Sequence, residues 1–379
     1  MNTLDLGNKL ELEEFCQYMK EHFFDDDPAL ADKALIRIDH VNKNNGVVLT
    51  GITIMMEDEN IAPTIYLNDM HNDYKDGKSL HNCLDRLRYD YRTNRIEESI
   101  NISFFEDFST VKGMLHPRII NTAMNQNMLE EMPHFEYGDL TIGFYADVKA
   151  DTLGARGSIR VLNAHLAMWE VTPKELLEAA IENEMNGMSY EIKTMEQIIG
   201  DMVGEEVSDL FMEGVRGDRG MYVLKKNGSD EHFGATGMIY PDLLEEHAKN
   251  INDSFYIIPS SLHELILISA NSRICPGVSE MREMVKEVNE TQVDREDILA
   301  ENIYFYDKEA RALYRTDTGD VMHIVDNTPV IKLVVNPKDL APKKESIKEK
   351  MEGYKAVVKN TEPSAKKTAP DHKKDSVRE

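Results

Sequence analysis

Phe255-Tyr-Ile-Ile-Pro-Ser-Ser-Leu-His-Glu-Leu-Ile-Leu-Ile268 is the stretch whose reading decides the fold. Phe255 to Ile258 is an aromatic and β-branched run that stops at Pro259, and a second apolar run, Leu262 to Ile268, begins after Ser260 and Ser261. Such side chains fit a pleated surface, and Pro with Ser between two such runs marks a turn, so the pattern predicts a hairpin. Successive strand residues point to opposite faces. Leu262, Glu264, Ile266 and Ile268 therefore share one face, and His263, Leu265 and Leu267 the other. Both faces are mostly apolar, which predicts a central strand with His263 and Glu264 at its mouth. Downstream, Met281, Met284, Val285 and Val288 fall at i, i+3, i+4 and i+7, the spacing of a helix that lays one apolar stripe on a sheet, with Ser279 as its cap.

Working outward, Tyr222 to Leu224 and Gly234 to Tyr240 read as strands and Pro241 to Ile251 as a helix, which makes residues 201–336 a ββαββα-like lobe. Ile303 to Tyr306 and Ala312 to Tyr314 add an edge hairpin. Asn186 to Gly220, irregular and glycine-containing, reads as a flexible connection. A middle lobe over residues 111–200 holds strands Leu140 to Val148 and Ser158 to Leu162, a core anchor in Trp169, and a helix announced by the capping box Thr172-Pro-Lys-Glu175. The first lobe, residues 1–110, opens with an amphipathic helix marked by Leu12, Phe15, Met19 and Phe23. Strands Leu35 to Val41 and Val47 to Ile54 follow around Asn45-Gly46, then Thr64 to Leu67, then a helix capped by Ser79. Residues 337–379, rich in Lys-Lys pairs, read as a disordered basic tail with a short helix at Ile347 to Val358. The fold class is thus α+β: mixed, mainly antiparallel sheets with helices packed on them, in two or three lobes.

The run Ile258 to Ile268, with Arg282-Glu-Met-Val-Lys-Glu-Val-Asn-Glu-Thr-Gln-Val293, Thr64-Ile-Tyr-Leu-Asn68, Pro133-His134, Leu166-Ala-Met-Trp-Glu-Val171 and Ala180-Ile-Glu-Asn183, resembles an uncharacterised domain-of-unknown-function family of anaerobic bacteria. The resemblance covers roughly residues 8 to 315. It implies kinship of fold and brings no established activity.

The chain carries 43 basic and 69 acidic residues, a net charge of −26, and its basic tail leaves the remainder more acidic still. Such a surface repels nucleic-acid phosphates and anionic membranes, so neither direct nucleic-acid binding nor membrane binding is expected. Cys16, Cys83 and Cys275 are odd in number and outside any CxxC pattern, which points to reduced thiols and a cytoplasmic setting. The acidic Asp5, Glu11, Glu13 and Glu14 do not resemble a secretory signal.

Ser260, Ser261, His263 and Glu264 contain the ingredients of nucleophile, base and orienting carboxylate. Neighbouring strand residues diverge, so His263 and Glu264 are not expected to pair, and no GxSxG elbow is present. The serines are expected to satisfy the turn and His263 to be buried and hydrogen-bonded. Asn289, Thr291 and Gln292 close the last helix, either capping its carbonyls or facing a ligand beside His263. Asp69, His71, Asp73 and Asp76 offer metal-ligand chemistry, but Tyr74 stands where a calcium loop needs glycine, and Leu267 replaces the second histidine of HExxH after His263-Glu264. Gly214, Gly217 and Gly220 lead into a strand, unlike a phosphate loop. No metal, cofactor or catalytic set is assigned. The expectation is a non-catalytic binding or regulatory module with an unidentified protein partner, Ser260, Ser261, His263, Glu264, Asn289 and Gln292 being the candidate binding residues. The alternatives are a hydrolase using His263 with a serine or acid partner, and an acidic decoy of nucleic-acid-binding proteins.

Overall fold

The computed structural model describes residues 9–57, 59, 62–95, 103–148, 157–187, 190–203, 220–227 and 232–326, and among them three open sheets carry the chain. In the first, β1 (Ala34–Asn42) pairs antiparallel with β2 (Val48–Met56), and β3 (Thr64–Tyr66) adds to β2. Helix α1 (Leu12–His22) buries Phe15, Cys16 and Met19. It packs with α2 (Asn68–Lys75) and α3 (Leu80–Asn94) over Ile52, Ile54 and Leu67 to make a core separate from the rest. α3 starts where expected, because the Ser79 hydroxyl accepts the Asn82 N–H at 3.2 Å and satisfies a free helix-end donor.

The second sheet runs β14 (Ile324–Asp326), β5 (Phe135–Tyr137), β6 (Leu140–Val148), β4 (Leu115–Asn121), with β7 (Gly157–Arg160) also on β6. Helices α4 (Asn163–Trp169) and α5 (Pro173–Gly187) pack beside it, and the Thr172 capping box forms as read. Trp169 is buried, its indole N–H donating to the Phe105 carbonyl at 2.7 Å.

The third sheet has the order β13 (Ala312–Arg315), β12 (Tyr304–Asp307), β10 (Phe255–Ile258), β11 (Glu264–Ser269), β9 (Met221–Lys226), β8 (Tyr190–Thr194). The 255–268 hairpin is therefore central, with Phe255 opposite Ser269 and Ile258 opposite Ile266. Leu265 and Leu267 enter a large core shared with the second sheet. On the opposite face Ile268 meets Met281 and Val285, so both faces are covered as the alternation implied.

Several expectations are corrected. Gly234 to Tyr240 is not a strand: Gly234–Ile239 winds as a fully buried 3₁₀ helix leading into α7 (Pro241–Ile251). Its glycines permit contacts that no strand spacing allows, since a Cβ on Gly234 would lie 2.4 Å from the His263 carbonyl oxygen and 2.6 Å from the Lys226 nitrogen. The connection read at 186–220 contains edge strand β8 and helix α6 (Met195–Val203), whose start is a second capping box between Thr194 and Gln197. Residues 204–219, including Gly214 and Gly217, lie outside the described residues, as do the tail 337–379 and its helix at 347–358. Helix α8 (Val278–Thr291) takes Gly277 as its N-cap, leaving Ser279 inside the first turn. Its buried stripe is Met281, Val285 and Asn289, whereas Met284 and Val288 are 52% and 43% exposed. The contact with the sheet is one residue wide per turn, narrower than the apolar pattern.

The tip of the β1–β2 hairpin joins the two cores. Asn45 and Gly46 both take positive φ (56° and 67°), as their pairing predicts. Asn45 is completely buried. Its N–H donates to Asn125 Oδ1 (2.8 Å), its Oδ1 accepts from Asn125 Nδ2 (2.9 Å), and its Nδ2 donates to the carbonyls of Arg295 (2.8 Å) and Ile298 (2.6 Å). Asn44 adds a bond to the Glu296 carbonyl at 2.6 Å. Elsewhere in the large core, His247 sits edge-on to Tyr222 and Phe255, its Nε2 without a hydrogen-bond partner among the described residues, and burial pushes its pKa down to about 4.

Asn45→Ala is expected to lower unfolding free energy in urea titrations by about 2–4 kcal/mol, because it strands buried carbonyls and the Asn125 amide. Asn45→Gly, which keeps the left-handed backbone accessible, should lose somewhat less. His247 must be neutral in the folded chain and ionises at about 6.5 when unfolded. Its contribution is thus intact above about pH 6.5 and declines as pH falls toward 4, by about 3 kcal/mol in total for a shift of this size. His247→Phe should flatten that part of the stability-versus-pH curve.

Candidate functional site

The turn at 260–264 is held by backbone partners. Ser260 Oγ donates to the Glu264 carbonyl (2.8 Å), and Ser261 Oγ accepts the His263 N–H (3.0 Å), so both hydroxyls satisfy the turn. The Leu262 N–H donates to the Asp297 carbonyl at 2.9 Å, which brings the 295–297 segment beside the hairpin mouth. There the His263 ring, a third exposed rather than buried as expected, lies between two partners: Phe233 N–H donates to Nδ1 (3.3 Å), and Nε2 faces Asp297 Oδ1 (3.2 Å). A ring whose Nδ1 accepts must carry its proton on Nε2, which then donates to Asp297. Glu264 stands across the ladder from Lys225. Asn289 donates through Nδ2 to the Ala300 carbonyl (3.1 Å), and Gln292 is exposed. No hydrogen bond among the described residues joins either amide to His263.

Sequence reasoning missed a buried ionic cluster. Glu184, 2% exposed, accepts at Oε1 from Lys226 Nζ (2.8 Å) and pairs with His116 Nδ1 (2.6 Å). Burial opposes ionisation of Glu184, but the bonds from His116 and Lys226 outweigh it and hold the carboxyl below its ordinary value. The Tyr190 hydroxyl lies against Glu184 and Tyr240 in the same cluster, and burial, with the nearby Glu184 carboxylate, pushes both phenols upward. The available signal was a carboxylate on the stripe Leu176, Ala180, Glu184, where an apolar residue belongs. Next to this cluster Arg118 stacks on Phe233 (3.9 Å) and Tyr145 (4.2 Å) and pairs with Asp147 (2.6 Å).

The Asp69 to Asp76 segment is not a loop but mostly helix α2, and two of its four candidate ligands are engaged elsewhere. His71 Nε2 lies 2.9 Å from the Leu10 carbonyl, and Asp73 takes Lys78 (2.7 Å) and Arg86 (2.9 Å). The described residues do contain a cleft of about 330 Å³ beside the Asn45 tip. Asn42, Lys43, Gly46 and Val48 form one wall; residues 123–128, Glu131 and Arg160 form the other. Nothing in the linear pattern pointed to it, because its walls come from different sheets.

Removing one partner of the buried ionic cluster leaves an uncompensated charge, so Glu184→Ala should cost about 3–5 kcal/mol in chemical denaturation. The double variant Glu184→Leu with Lys226→Met should recover most of that loss.

No curated protein and no solved structure matches the chain. The model of DUF5688, a family of unknown function, matches residues 12–308, and the chain belongs to that family.

Proposed function

We propose that the chain is a non-catalytic binding module of the cytoplasm. The observation that carries this reading is the saturation of His263. One ring nitrogen accepts a backbone N–H and the other donates to Asp297, so the ring has no free lone pair with which to take a proton from a nucleophile. The serines beside it are spent on the turn. Asp297 is an acid partner from the same lobe, not from another one as the hydrolase alternative required, and it faces the proton-bearing nitrogen and orients the ring without freeing a base. The cytoplasmic setting is supported by three unpaired cysteines. Burial raises the Cys16 thiol to about 11, which suits packing rather than reactivity. Among the described residues no helix is long and apolar enough to cross a membrane. The decoy alternative needs an unbroken anionic face, whereas Asp26 is matched by Arg88 (3.2 Å) and Arg92 (3.4 Å).

His263→Ala is expected to lower stability by about 1–3 kcal/mol, the cost of stranding the Phe233 N–H and the Asp297 carboxylate, with no loss of turnover on ester, phosphoester or peptide substrates because the parent has none. Hydrolysis by the parent chain, abolished in His263→Ala at unchanged melting temperature, would overturn the reading.

A further inference from the structure

We propose that the cleft beside the hairpin tip is the ligand site, and that it takes a small metabolite whose oxyanion, carboxylate or phosphate, lies between Lys43 and Arg160. This rests on the binding reading above and names where and what the module binds. With 69 acidic residues against 43 basic ones, a cation in this chain has carboxylates in excess, and most described cations near the surface hold one. Lys43 and Arg160 do not. The Lys43 ammonium has only the face of Tyr66, 4.7 Å from the ring centroid, and Arg160 lies across the ladder from Tyr145, with no hydrogen bond or ion pair among the described residues. Both line the same cleft. Two cations lining one concavity, neither paired with a carboxylate, favour an anion there, and a guanidinium offers paired donors matched to an oxyanion.

The remaining lining refines the class. Glu131 is the one carboxylate among the lining residues, and its side chain has no hydrogen-bond partner among the described residues, so it is placed to take a ligand donor such as an ammonium or hydroxyl. Asn42, Gln126 and Asn127 supply exposed amides that both donate and accept. A volume of about 330 Å³ suits a metabolite, not a polymer. The walls are held in place, because Asn125 in the cleft is buried and bonded to Asn45 and to the Asn121 carbonyl (2.8 Å). A ligand seated there touches both walls, so binding tightens the junction between them.

The test uses the full chain with inorganic phosphate and L-glutamate as probes, sodium chloride at matched ionic strength as control, and melting temperature with hydrogen exchange as readouts. At least one probe should raise the melting temperature by about 2–5 °C at about 10 mM beyond the chloride control, as binding to the folded state alone requires. The same probe should slow exchange at residues 43–47 and 123–131. Lys43→Met and Arg160→Met, each compared with its own unliganded baseline, should weaken that response about tenfold or more. Loss of the glutamate response in Glu131→Gln with the phosphate response kept would assign Glu131 to the ligand ammonium. Responses to both probes no larger than chloride, or responses unchanged in both cation variants, would overturn the proposal. Neither result touches the His263 experiment, and hydrolysis dependent on His263 would overturn the non-catalytic reading while leaving cleft protection in place.

Discussion

Asn45 places a side-chain amide and a left-handed backbone, both polar demands, where no water can meet them. A buried amide without partners is costly, so Asn125, Arg295 and Ile298 must sit where they do. These contacts reach the turn after β4 and the segment after α8, both outside the hairpin's own sheet. The N-terminal core is complete in itself, with Phe15, Met19, Ile52 and Leu87 closed around one another. It is the amide at the hairpin tip, and not shared apolar surface, that orients this core against the larger one and opens the cleft alongside.

A similar economy governs the larger core. The 3₁₀ helix at Gly234–Ile239 is wedged against β9 and β11, and the close approach of Gly234 to the His263 carbonyl sets the position of Phe233. Phe233 in turn offers its N–H to His263 and its ring face to Arg118. The polar residues that look most like an active site are therefore absorbed in fixing one crossing of the chain. Glu184 with His116 and Lys226 does the same between α5, β4 and β9. Buried charge of this kind is weak evidence for stability relative to an apolar core, but it penalises any packing that separates the partners. The cations at Lys43 and Arg160 differ because no carboxylate among the described residues is paired with either.

What the sequence determined by itself was local. Alternation in Leu262 to Ile268, the Asn45-Gly46 turn, the Thr172 capping box and the periodic stripes of α1 and α3 are each written within about ten residues, because strand faces, turn dihedrals and helix caps depend on near neighbours. Gly234 to Tyr240 misled because its buried apolar residues look like a strand until the surfaces that its glycines touch are known. Met284 and Val288 misled because helical spacing marks a candidate stripe and not the width of the surface that covers it. Thr194 to Gln197 carried a legible capping box that the neighbouring glycines obscured. Only the tertiary structure decided that Asp297, and not Glu264, faces His263, that Asn125 meets Asn45, that Glu184 gathers His116 and Lys226, and that Lys43 and Arg160 share a cleft. Each of these pairs spans tens to hundreds of residues, and such contacts follow from how sheets stack, a consequence of the whole chain's burial that no local pattern encodes.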